Sequence, residues 1–127
     1  MRGIAKAFIM TAILYGIFGL MLGLHMGMSK DHSQLPTHAH IMLIGWVSFA
    51  IFGFFYWFFG DGVPRWLGIV HFALAQVSLP VMIVALYAIY AEQPQYDPLA
   101  GIASIGYLAS FLAFGAAALL GLRTPNA

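Results

Sequence analysis

Residues 37–59 read THAHIMLIGWVSFAIFGFFYWFF, a run without a single Asp, Glu, Lys or Arg. A membrane-spanning helix needs roughly 20 apolar residues to cross about 30 Å of hydrocarbon, and this run has that length, with two histidines at its start. Working outward, the same criterion finds three further spans, at about residues 4–28, 65–91 and 99–122. The breaks between spans are short and polar: Ser29-Lys30-Asp31-His32-Ser33, then Gly60-Asp61-Gly62-Val63-Pro64, then Glu92-Gln93-Pro94-Gln95-Tyr96-Asp97-Pro98. Pro80 falls inside the third span and predicts a kink there. Breaks this short force consecutive helices to lie antiparallel, so the expected fold class is all-α, a four-transmembrane-helix bundle with residues 1–127 as a single membrane domain.

Composition agrees. Of the 127 residues 62% are hydrophobic and 7% charged, against about a quarter charged in an ordinary soluble domain, so a water-soluble globule is excluded. The formal charge of +1 is too small and dispersed to hold a nucleic-acid backbone, which leaves no nucleic-acid partner. Cysteine is absent, removing disulfides, thiolate zinc sites and iron–sulfur clusters. Any metal must then be held by His, Met or oxygen.

Arg2 and Lys6 precede a long apolar run, as in a signal peptide, but the run is about twice a normal h-region and reads as a retained helix. With the N-terminus inside, Arg2, Lys6, Arg65 and Arg123 fall on the cytoplasmic side and only Lys30 outside, in keeping with the positive-inside bias. The expected location is the cytoplasmic (inner) membrane of a bacterium, multi-pass, with both termini cytoplasmic and membrane lipid as surroundings. Gly16, Gly19, Gly23 and Gly27 form a smooth strip for close helix contact, within one protomer or between protomers. Tyr56, Trp57, Trp66, Tyr90 and Tyr96 read as interface anchors, and Phe52, Phe54, Phe55, Phe58 and Phe59 as lipid-facing bulk.

Every carboxylate, Asp31, Asp61, Glu92 and Asp97, falls in a predicted loop, which counts against a proton-coupled exporter built around an intramembrane acid. No Ser stands with a His and an acid in a way that suggests nucleophilic catalysis. Histidine remains. His25 ends the first span, His38 and His40 open the second, and His32 lies between, so four of the five imidazoles share the outer level. His32 reads as a side chain reaching water. Burying an unpaired imidazole in lipid is costly, so His38 and His40 call for a partner. Successive helical residues turn by about 100°, so these two project roughly 200° apart. One metal does not readily take both, whereas a helix standing between two cofactors offers one imidazole to each. His71, two turns into the third span, reads first as a hydrogen-bonded core residue near Gln76 or Ser78 and second as a ligand of another site.

The stretch Thr37-His38-Ala39-His40-Ile41-Met42-Leu43-Ile44-Gly45-Trp46 resembles the haem-binding helices of the catalytic subunit of haem-copper oxidases. It is similar to two of them: His40 matches the low-spin haem ligand in both, and His38 matches the other imidazole of the family's His-x-His pair. Both helices are second in their four-helix units, as this one is. The family's twelve-helix subunit is a pseudo-threefold array of such units, so the resemblance implies a homotrimer of this chain mimicking that subunit, with haem b at protomer interfaces. C3 closure is an allowed solution for a heterologous contact.

Two imidazoles on one iron make a six-coordinate, low-spin centre suited to electron transfer. His40 supplies one bond on this reading, and the second comes from His38 or His40 of a neighbouring protomer or from His25 of the same chain. Haem propionates are expected near Lys30, Trp46 or backbone amides of the first loop, and a quinol or a redox protein is the expected electron partner. The chain departs from the family in lacking an adjacent His-His pair for copper, a Tyr placed to cross-link to a copper ligand, and an intramembrane Lys or Glu, so a complete oxidase is not expected. The competing expectations are a copper- or zinc-binding protein using the outer His/Met cluster of Met21, His25, Met26, Met28, His32, His38, His40 and Met42, and a non-catalytic accessory or assembly subunit.

Overall fold

The computed structural model describes residues 1–123. The carboxyl terminus, expected on the inner side, lies outside the described residues. Among the described residues four helices are long and apolar enough to cross a membrane: α1 (Arg2–Ser29), α2 (Leu35–Gly62), α3 (Arg65–Ile89) and the span Pro94–Arg123, whose α-helical part is α4 (Asp97–Arg123). There is no strand among the described residues. At 1.5 Å per residue each helix covers roughly 38–42 Å, enough for the hydrocarbon and part of both headgroup layers.

Local chemistry sets the ends. α1 stops at Lys30, which takes a left-handed conformation (φ 64°) and donates its N–H to Met26 O at 2.9 Å. α2 starts at Leu35, two residues earlier than its apolar run, because Pro36 fits the first turn, where no N–H donor is needed. α3 ends at Ile89 rather than 91: Glu92 turns left-handed (φ 67°) and Gln93 N–H closes on Ala88 O at 3.0 Å. Asp97 opens α4 and Arg123 ends it, each with the sign that suits its end of the helix dipole.

α1 packs along α2, and α3 along α4. α2 joins the two hairpins by touching both α3 and α4, while α1 and α3 meet only sparsely. The outer surface is apolar: Leu14, Val77, Ile102 and Leu119 are each more than 60% exposed. A soluble protein does not present such a surface, and the molecule is a multi-pass membrane protein.

The interior is aromatic. Phe8 of α1 sits 5.3 Å from Phe49 and 5.4 Å from Phe52, both edge-on, and stacks on Tyr56 at 5.7 Å. Phe114 of α4 closes the cluster at 4.6 Å from Phe52. This corrects two expectations. Phe52 and Tyr56, taken as lipid-facing and interfacial, are both 1% exposed, whereas Phe54, Phe58 and Phe59 do face outward. Trp57 is exposed, with the Arg2 guanidinium 4.7 Å above its ring. Truncating Phe8→Ala removes a ring that touches five aromatic side chains. It should cost about 3–5 kcal/mol in a detergent unfolding titration, while Ile102→Ala on the lipid-facing surface should leave the midpoint nearly unchanged.

Candidate functional site

The first turn of α2 is clamped before either histidine is reached. Gln34 and Thr37 are buried; Thr37 Oγ1–H donates to Gln34 Oε1 at 2.7 Å, and Gln34 Nε2–H donates to Tyr87 O of α3 at 3.0 Å. In a water-poor interior such satisfied polar contacts fix one rotation of the helix. The resemblance drew attention to Thr37 only as part of a motif, and Gln34 was missed. The available signal was a pair of uncharged polar residues three apart at the head of a span.

With Thr37 turned to α3, His38 faces α1. Its Nδ1–H donates to Gly19 O at 2.8 Å, and its ring lies over Gly23, where an added Cβ would stand 2.8 Å from Cε1. Further along the same stripe Met42 covers Gly19 and the Trp46 indole covers Gly16, its ring atoms 3.4 Å from where a Cβ would be. The glycine strip is therefore occupied within one protomer at Gly16, Gly19 and Gly23, while Gly27 faces open space. Trp46 and Met42, both singled out as candidates, line up with His38.

Two residues on, His40 is carried to the flank turned away from α1. Its Nδ1–H donates to Pro36 O, four residues back, at 2.8 Å. A carbonyl oxygen only accepts, so both imidazoles carry their proton on Nδ1, and in the neutral form each leaves its lone pair on Nε2. Among the described residues neither Nε2 has a hydrogen-bond partner, and neither is enclosed. A ligating histidine typically shows this arrangement, with the remote nitrogen tied to a carbonyl to set tautomer and ring orientation.

Directly after His40, residues Ile41–Val47 form a π-helical segment, a widening that occurs most often at functional sites. It is stabilised locally: Ile44 O accepts Tyr107 O–H from α4 at 2.6 Å, and Leu43 O accepts Ser48 Oγ–H at 2.8 Å. Sequence periodicity carried no sign of this widening.

The remaining histidines are dispersed. His25 is exposed and lines a polar cleft with Asp31, Gln34, Tyr87 and Tyr90, on the α3 flank of α1, whereas His38 lies on the glycine flank. His32 is exposed in the loop. Beside it, the Ser33 backbone N–H, 3.0 Å from Asp31 Oδ1, holds that carboxyl below the usual range. His71 is fully buried. Its Nδ1 pairs with the Tyr56 hydroxyl at 2.8 Å rather than with Gln76 or Ser78, and its Nε2 has no partner. Gln76 instead takes the Tyr15 hydroxyl at 3.3 Å. Among the described residues no three His, Asp or Glu side chains gather into a cage for a metal ion.

Gly23→Leu should push the His38 ring off α1 and break its bond to Gly19 O. Diethylpyrocarbonate labelling should then reach His38 faster than in the parent, and stability should fall by about 1–3 kcal/mol. Gly27→Leu, where space is open, should change neither. No family model, no curated protein and no solved structure matches this chain.

Proposed function

We propose that the protein is a haem b-binding membrane protein related to the catalytic subunit of haem-copper oxidases, acting in electron transfer as a homotrimer with a haem at each protomer interface. The observation that carries this reading is the paired state of His38 and His40: two imidazoles on opposed flanks of one helix, each tied through Nδ1 to a backbone carbonyl and each with Nε2 free. These residues fit the group, because an axial ligand to haem iron has to offer one neutral imidazole nitrogen in a fixed orientation.

His40 holds its nitrogen outward on a half-buried flank, followed by the exposed apolar side chains Leu43 and Val47, a surface that suits a second copy of the chain. The other imidazole holding the haem would come from His38 or His40 of that copy; His25 is the weaker candidate, lying on the other flank of α1. Trp46, partly exposed on the His38 stripe, is placed to pack against a flat ring system. When bound, the haem supplies one-electron exchange without net bond making. The chain's part is to fix the two imidazoles and keep water out. Intramembrane acids are absent from the reading, so oxygen reduction by this chain alone is not proposed. The positive-inside bias supports an inner-membrane orientation with Arg2, Lys6, Arg65 and Arg123 cytoplasmic.

A second reading, Cu(I) binding, draws on one observation: the Met42 thioether and the His38 imidazole lie side by side over Gly19 and Gly23, a soft ligand pair. The test is the spectrum and mass of the purified oligomer. Haem b predicts a Soret band, three copies of the 13.9 kDa chain, loss of the band in His40→Ala and reduced haem or trimer yield in His38→Ala, with His32→Ala close to wild type. A colourless protein that holds stoichiometric copper supports the second reading. Protein with neither, or both variants indistinguishable from wild type, removes the assignment and leaves an accessory subunit.

A further inference from the structure

Where α1 and α3 part, a groove runs from mid-membrane to the end that carries the α1–α2 loop. Its deep section, about 480 Å³, is lined by Tyr15, Met21 and Pro80 among apolar neighbours. A second section of about 460 Å³ continues from it through the shared walls Phe18, Ile83 and Val84 and reaches Tyr87 and Tyr96. The last section, about 190 Å³, shares Leu22, Tyr87 and Ala91 with the second and is polar, adding His25, Asp31, Ser33 and Tyr90. The groove is thus apolar at depth and polar at the membrane surface, so its occupant has a tail and a head.

Length identifies the tail. From Pro80 to Ala91 the groove follows α3 for roughly 16 Å at 1.5 Å per residue, about half the hydrocarbon thickness. That is the reach of one acyl chain within its own leaflet, and a long polyprenyl tail exceeds it. Charge identifies the head. Asp31, which accepts the Ser33 N–H at 3.0 Å, lines the polar section; its carboxylate repels a purely anionic headgroup and accepts hydrogen bonds from an ammonium. His25 and Tyr90, which line the same section, carry N–H and O–H groups of the kind that donate to a phosphate oxygen. We infer that this groove is a binding site for a phospholipid with a primary-amine headgroup, its ammonium at Asp31 and one acyl chain between α1 and α3. The inference is independent of the haem reading.

The full-length protein, stripped of lipid in detergent and reconstituted into nanodiscs of equal parts phosphatidylethanolamine, phosphatidylcholine and phosphatidylglycerol, is released for native mass spectrometry. The expected result is one phosphatidylethanolamine retained per protomer, favoured roughly threefold or more over each of the others, the scale of an exposed ion pair. Asp31→Asn should bring the three lipids to parity. Val84→Trp, which fills the groove from an exposed position, should abolish retention with helix content unchanged. Equal retention of the three lipids by the parent, or a preference that survives Asp31→Asn, overturns the proposal.

Discussion

α1 and α2 approach so closely that side chains of one lie against the backbone of the other, and the candidate site depends on that approach. Gly19 and Gly23 leave room for the Met42 and His38 side chains, and Gly16 for the Trp46 indole. Lipid offers helices no hydrophobic drive to associate, so contact of this kind has to come from packing and interhelical hydrogen bonds. The bond from His38 to Gly19 O is both at once: it gives the Nδ1–H an acceptor and pins the ring against α1. The Gln34–Thr37–Tyr87 contacts on the α3 side act as the opposing clamp, and between the two α2 has one rotational setting.

The same helix holds the other end of the bundle together. Tyr56 and Phe52 of α2 surround His71 of α3, with Phe8 of α1 at 4.8 Å and Phe114 of α4 at 5.3 Å. One imidazole therefore touches a ring from every other helix. Its single protein hydrogen bond, to Tyr56, is the polar counterpart of the edge-to-face packing around it. Between this aromatic end and the histidine end lies the π-helical segment, whose widened turn is braced by Tyr107 from α4. The site level and the core level are thus set by different contacts on one helix.

Much of this was open to a reader of residues 37–59. The span itself follows from its apolar length, and the structure agrees; helix geometry sends His38 and His40 to opposed flanks, and the His38 ring is found on α1. The assignment of aromatic residues went wrong at Phe52 and Tyr56, and the partner of His71 was sought within its own helix rather than across the bundle. Both failures have one origin. In water the buried face of a helix is marked by an apolar stripe, but here the outside is as apolar as the inside, and Phe52 and Phe54 look alike in the sequence although one is core and the other faces lipid.

By itself the sequence determined how many helices are long and apolar enough to cross and, to within a few residues, where they break, because hydrocarbon demands that every backbone group be satisfied within a helix and tolerates few charges. Only the tertiary structure decided which way each side chain turns: His38 to α1 and His25 to the α3 flank, Tyr56 inward, Gly16, Gly19 and Gly23 covered within one protomer, and α2 widened after His40. Those choices rest on ring-on-glycine contact and hydrogen bonds between residues distant in the chain. No local pattern encodes such contacts when lipid and core share one polarity.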